Sequence, residues 1–197
     1  MGCINKTIVN LELGPLKAYC LEVSPIIVDK WKNNLNIENK DLFDNISLTT
    51  KLHFYYNFLL FPNKQLHNLY FEIQNFFNQI RTDGVPYYIT MWCNIHQKNQ
   101  NLDWHSHNPP EHNAYHGYFS LDAEPSITTY RLPDGSIEQV VNKNNQIVLS
   151  KSDGDKHCVS IWQEERPRIT LAFDIIPVHI ANGSLRMQNR TNNWMPI

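Results

Sequence analysis

The stretch KQLHNLYFEIQNFFNQIR, from Lys64 to Arg81, carries Leu66, Leu69, Tyr70, Ile73, Phe76, Phe77 and Ile80 at three- and four-residue steps. That spacing predicts a helix with one apolar stripe, with Asn63 placed to cap its start and Gly84 to stop the chain beyond it. After Gly84 the period shortens to two. In VPYYITMWCNIH (Val85 to His96), Tyr87, Ile89, Met91, Cys93 and Ile95 fall on one face of a predicted strand. Tyr88, Thr90, Trp92, Asn94 and His96 fall on the other. The first face suits the helix stripe, so the helix is expected on the outer side of the sheet. The second mixes aromatic and polar groups, which suits a sheet whose inner side lines a cavity. AYHGYFSL repeats the arrangement, setting His116, Tyr118 and Ser120 against Tyr115, Gly117, Phe119 and Leu121.

Further short runs follow, SITTYRL, SIEQVV, NQIVLS, HCVSIW and RITLAFDIIPV, with PDG and SDGD among the breaks between them. Upstream, SPIIVDKWKNNLN (Ser24 to Asn36) predicts a short helix capped by Ser24 with Pro25 in its first turn. The expected class is mainly β with bracing helices, a barrel or sandwich forming one domain over 1–197. Residues 1–84 would be helical and strand support, 85–178 the β core, and 179–197 a tail serving as a loose arm or a strap.

Composition narrows the classes without choosing one. A chain of 197 residues with 42% hydrophobic and 18% charged residues is an ordinary folded soluble type. Its formal net charge of -2 removes the general electrostatic case for nucleic acid. No apolar run approaches the roughly 20 residues of a membrane span, and the start lacks a signal-peptide core, so the expected place is the cytoplasm. MGCINKT has Lys6 where a myristoylation start wants Ser or Thr. Cys3, Cys20, Cys93 and Cys158 form no C-x-x-C pair and read as free thiols in a reducing compartment. The NGS and NRT triplets carry no meaning without secretion.

The candidate chemistry gathers in DWHSHNPPEHNAYHGY, where four of the nine histidines stand: His105, His107, His112 and His116. His105 and His107, at i and i+2, share a face if the chain is extended and can chelate one ion. His157, after the SDGD turn, supplies a third ligand from a distant strand and leaves the opposite side of the ion open. Arg168 begins the last long strand with Thr170 next on its face, a pairing made to hold a carboxylate. A structural salt bridge from Arg168 to Asp174 or Glu165 is the competing account. Arg166, set apart by Pro167, reads as a surface group. His112 and His116 read as solvent-facing or outer groups rather than ligands, and His96 as a satisfied wall residue. His53, His67 and His179 read as structural, and Trp92 as a barrel-filling aromatic.

Taken together, MWCNIHQKNQNLDWHSHNPPEHNAYHGYFSL and NNQIVLSKSDGDKHCVSIWQEERPRITLAFDI resemble the Fe(II)- and 2-oxoglutarate-dependent dioxygenases. The family pattern is H-x-D/E, a distant His, then an Arg, often R-x-S/T, near the end of a double-stranded β-helix. The resemblance runs from Tyr88 to Ile176, roughly half the chain. It is nearest to a branch with W-x-N, H-x-H and G-x-Y/F, matched here by Trp92, Asn94, His105, His107, Gly117 and Tyr118.

The resemblance implies a double-stranded β-helix (jelly-roll, cupin-like) core over 85–178. It implies Fe(II) held by His105 and His157, and 2-oxoglutarate anchored by Arg168 with Thr170. Tyr88, Asn94 or Tyr118 would add a hydrogen bond to the co-substrate. The carboxylate position departs from the pattern, because His107 stands there. His107 can ligate the metal itself, Glu111 or Asp103 can swing in, or water or an anion can fill the place; the i, i+2 spacing favours His107. The activity implied is oxidation of an unidentified small-molecule or side-chain substrate, with release of succinate and CO2. A non-oxidative metal-binding cupin-like protein and a degenerate barrel acting as a binding module are the alternatives. Iron-dependent CO2 release from labelled 2-oxoglutarate separates the first reading from both.

Overall fold

The computed structural model describes residues 4–35, 53, 55–183 and 194–197. Cys3, Asn36, the NRT triplet and most of the tail lie outside the described residues. Among those described there are ten strands: β1 (Asn5–Ile8), β2 (Tyr87–His96), β3 (Leu102–His105), β4 (Tyr115–Asp122), β5 (Ile127–Arg131), β6 (Ile137–Val141), β7 (Gln146–Lys151), β8 (Lys156–Val159), β9 (Arg168–Pro177) and β10 (Met195–Pro196). Three helices accompany them: α1 (Leu13–Leu35), α2 (Lys64–Ile80) and α3 (Val178–Gly183).

The strands form two antiparallel sheets, a six-stranded one in the order β1-β7-β4-β9-β2-β10 and a four-stranded one in the order β3-β8-β5-β6. Strands distant in sequence alternate within each sheet. This is the double-stranded β-helix that the resemblance implied, mainly β with bracing helices as the alternating runs from Tyr87 onward predict. The longest seam joins β2 to β9 over ten register pairs, from Tyr87↔Pro177 to His96↔Arg168.

Helix α2 forms where its periodicity places it. The Asn63 side chain accepts hydrogen bonds from the backbone N–H groups of Gln65 and Leu66, at 2.9 and 3.2 Å. Leu66, Leu69, Ile73 and Phe77 are fully buried, each such burial being worth roughly 1.5–3 kcal/mol before entropy is counted. Phe77 meets Tyr87 and Tyr115 edge-on with centroids 5.1 Å apart. The helix therefore packs on the outer face of the six-stranded sheet, and the alternate side chains of β2 and β4 are left to face inward.

Helix α1 departs from expectation. It starts at Leu13, so Ser24 is no cap but a buried mid-helix residue, and Pro25 sits inside the helix. Pro25 lies on the exposed side while Leu16, Cys20, Val23, Ile27 and Val28 are buried. The apolar stripe is continuous through the proline, and tertiary burial overrides the local break.

One edge of β2 is finished by side chains. Strand β10 pairs only with Tyr88 and Ile89. Beyond it the Asn57 amide donates to the Ile89 carbonyl at 3.1 Å, and its oxygen accepts from the N–H of Met91 at 3.0 Å. The Tyr56 hydroxyl accepts from the N–H of Cys93 at 3.1 Å.

Candidate functional site

A cavity of about 360 Å³ lies between the two sheets. His105, the last residue of β3, pairs in register with His157 of β8, and their rings are 4.2 Å apart. Gly154, at φ +89°, makes the turn that delivers β8 and is one of the positions where a side chain would be strained. His107 lies two residues past the end of β3, so strand geometry alone does not aim it. Its holder is Asp174 of β9, whose Oδ1 lies 2.7 Å from His107 Nδ1. Ring nitrogens of His105, His107 and His157 all lie within 4.8 Å of one another. The structure thus brings together the three histidines that the sequence singled out.

Their electrostatics suit ligation. Burial first, then the neighbouring His107, pushes His105 down to about 4. Its Nδ1 lies 2.7 Å from the Asp103 carbonyl; a carbonyl only accepts, so Nδ1 carries the proton and Nε2 keeps its lone pair for a ligand. Burial, with the charges of His116, His107 and His105, holds His157 well below the usual histidine range. Burial also lowers His107, but the Asp174 carboxylate outweighs it and the net shift is upward. Asp174 moves down, because His107 more than offsets its burial.

Neither acid weighed as an alternative to His107 reaches the cluster. Glu111 is exposed and does not line the cavity. The Asp103 side chain is exposed and takes a hydrogen bond from Asn101. The carboxylates packed on the cluster are instead Asp174 and Asp155. Sequence reading missed both roles, because Asp174 lies 67 positions from His107 and no motif links them. Of three further histidines, one takes the outer of its two expected places and two depart from expectation. His116 is 2% exposed, with its ring parallel to those of His107 and His157 at 4.5 and 5.0 Å, so it belongs to the cluster rather than to solvent. His53 lines the cavity with its ring 5.0 Å from Trp92. His96 is buried, yet neither ring nitrogen has a hydrogen-bond partner among the described residues. It is not the satisfied wall residue expected, and burial with the charge of Arg168 drives it down to about 3.

Arg168 is 3% exposed and borders the cavity. Its Nε donates to Ser126 Oγ at 3.1 Å. No carboxylate among the described residues pairs with it: Asp174 is taken by His107, and Glu165 by Lys98. Burial lowers its pKa to about 10, which leaves it cationic at neutral pH. Thr170 and Asn94, register partners, line the cavity beside it. Tyr118 lines it too, with its hydroxyl donating to Asn142 Oδ1 at 2.6 Å.

Tyr88 does not line the cavity. It packs with Ala114, Ile176, Ala181 and Trp194. It shares a strand face with Trp92, but four residues of extended chain, roughly 13 Å, carry it past the cavity's end. Arg166 is surface-facing as expected, paired with Asp122 and lying over the Trp162 ring.

No family model matches the chain, and no curated protein matches it by sequence. Solved structures do. A prolyl hydroxylase from Trichoplax adhaerens, in complex with a hypoxia inducible factor peptide, is 12% identical with a TM-score of 0.53, covering 89% of this chain and 83% of that one. HygX from Streptomyces hygroscopicus, with nickel and 2-oxoglutarate bound, is 11% identical at 0.49, covering 77% of each. A 2OG-Fe(II) oxygenase family oxidoreductase from Burkholderia pseudomallei is 11% identical at 0.47, covering 58% of this chain; the chain spans 60% of that protein's length. At such identities the likeness is one of fold. The chain has a double-stranded β-helix fold, which it shares with the prolyl hydroxylase.

Proposed function

We propose that the protein is a metal- and 2-oxoglutarate-dependent oxygenase, with Fe(II) on His105, His107 and His157 and the distal carboxylate of the co-substrate on Arg168. The observation that carries this reading is Arg168 itself. A guanidinium 3% exposed, bordering a cavity and lacking a carboxylate partner among the described residues, is costly unless a ligand anion completes it. A dicarboxylate matches its fork.

The residues fit both groups. Two of the three histidines are held neutral, the form that binds a metal. Asp174 sets the ring of His107 and lends it negative charge, as an outer carboxylate does for a metal-bound imidazole. Thr170 would donate its hydroxyl to the same carboxylate as Arg168, while Asn94 and the ring of Tyr118 shape the wall. Iron with 2-oxoglutarate, when bound, supplies oxidative decarboxylation to succinate and CO2 coupled to oxidation of a substrate. Trp92, Leu102 and Val159 line the cavity and would keep water from the reacting groups. The cytoplasm and a small-molecule or side-chain substrate remain the expected setting.

The test is release of labelled CO2 from 2-oxoglutarate. Iron-dependent release that stops in the His157→Ala variant is expected. Binding of metal and 2-oxoglutarate with no release would favour the second reading, a non-oxidative binder. That reading draws support from the all-imidazole ligand set, which leaves the ion more positive than a set with a carboxylate.

A further inference from the structure

Behind the three histidines lies a second donor set. His116 of β4, Asp155 just ahead of β8, and His157 on β8 offer ring nitrogens and a carboxylate oxygen that also lie within 4.8 Å of one another. All three residues are buried, at 2%, 2% and 6% exposure.

The polar atoms there are poorly satisfied. His116 Nδ1 is engaged with Ser152 Oγ at 3.1 Å. His116 Nε2 lies 3.3 Å from Asp155 Oδ2, a long ion-pair contact, and Ser150 Oγ donates to that same oxygen at 3.2 Å. His157 Nδ1 is buried with no hydrogen-bond partner among the described residues. An orphaned nitrogen and a weakly held one beside a buried carboxylate are expensive in a low-dielectric interior. A spacing near 3.3 Å is about that of two ligands on a tetrahedral ion with bonds of about 2.0–2.1 Å. A single cation would satisfy all three side chains.

We infer that the chain has a second, inner cation seat, made by His116, Asp155 and His157, which one divalent ion takes in place of the outer His105, His107, His157 seat. The shared His157 and the crowding of two dications in one buried cluster, with Arg168 also bordering the cavity, make the seats alternatives rather than partners. The donor sets differ in kind. The outer seat offers three imidazoles; the inner one offers two imidazoles and a carboxylate, and oxygen donors favour harder ions such as Mn2+. The inference rests on the metal-binding part of the proposed function.

The experiment is titration of Mn2+ into the metal-free chain, with bound ion followed by EPR and the fold by circular dichroism. One ion per chain is expected in the wild type. The His105→Ala/His107→Ala double variant should still hold one Mn2+, and adding Asp155→Asn should remove it. Asp155→Asn alone, nearly isosteric, should weaken Mn2+ at least tenfold in the otherwise intact chain; this arm stands if the double variant does not fold. A folded double variant that holds no Mn2+, or an Asp155→Asn chain with unchanged Mn2+ affinity, overturns the inner seat. Either result leaves the outer seat standing if Zn2+ still binds the wild type in a way that His105→Ala/His107→Ala abolishes. A wild-type chain that binds neither ion overturns both.

Discussion

His107 Nδ1 and Asp174 Oδ1 stand 2.7 Å apart, joining a loop beyond β3 to the middle of β9. A carboxylate is thus attached to the place where the family pattern has Asp or Glu, one imidazole removed from the proposed metal seat. The pair also fixes which nitrogen of His107 faces the cluster, because Nδ1 is engaged. Replacing Asp174 by Asn keeps the shape and removes the charge. Zinc affinity, measured by competition with a chromophoric chelator, should fall by roughly 10- to 100-fold in Asp174→Asn. Unchanged affinity would mean that His107 does not hold the ion.

Arg168→Ala should leave metal binding intact and weaken 2-oxoglutarate. Removing one partner of a buried, hydrogen-bonded charge pair costs about 2–5 kcal/mol. Titrating 2-oxoglutarate into iron-loaded protein, and following the metal-to-ligand absorption, measures the loss. Equal affinity in variant and wild type would detach Arg168 from the co-substrate.

Acid should destabilise the metal-free protein. His96 and His105 are held down to about 3 and about 4, and His116 and His157 are also lowered, burial being the first cause in each. The unfolded chain takes up protons at these positions near pH 6.5 while the folded one refuses them, so stability is lost as pH falls below that point. His107 is raised and acts in the opposite sense: its contribution is present below pH 6.5 and fades as pH rises through its folded value. Four groups oppose one. The thermal midpoint in chelator should therefore drop between pH 7 and pH 5, and a midpoint that rises would contradict the burial of these rings.

Gly117, in the middle of β4, has no room for a methyl group. A Cβ there would lie 2.4 Å from the Val148 carbonyl oxygen and 2.6 Å from the Phe173 ring. Gly117→Ala should lower stability by about 1–3 kcal/mol, the usual range for overpacking. Chemical denaturation reads the change directly.

The barrel and three of the cluster's histidines were legible because they depend on short-range pattern. Short alternating and apolar runs located β2 and β4 to β9 but not four-residue β3, and i, i+2 spacing with a distant His and R-x-T picked out residues that meet at one cavity. What was missed depends on contacts between distant segments. Asp174 was weighed as a partner for Arg168, yet along β9 it lies six residues further and meets His107 instead. Asp155 and His116 meet only because β4, β7 and β8 converge. At the N-terminal end, Ser24-Pro25 carries a helix-start signal that buried Leu16 and Cys20 override from outside the window. Four-residue β1, with three polar residues, gives no strand signal of its own until β7 pairs with it.

The side chains of Asn57 and Tyr56 along β2 reach beyond local satisfaction. Main-chain groups on the outer edge of a sheet can template the strand of another molecule. Here the Ile89 carbonyl and the N–H groups of Met91 and Cys93 are engaged where β10 gives out. A foreign strand approaching this stretch would have to strip away three hydrogen bonds before making one. Between Ile89 and Cys93, on the strand that carries Trp92 and Asn94 into the cavity, this edge of the sheet ends in side chains rather than in an open ladder.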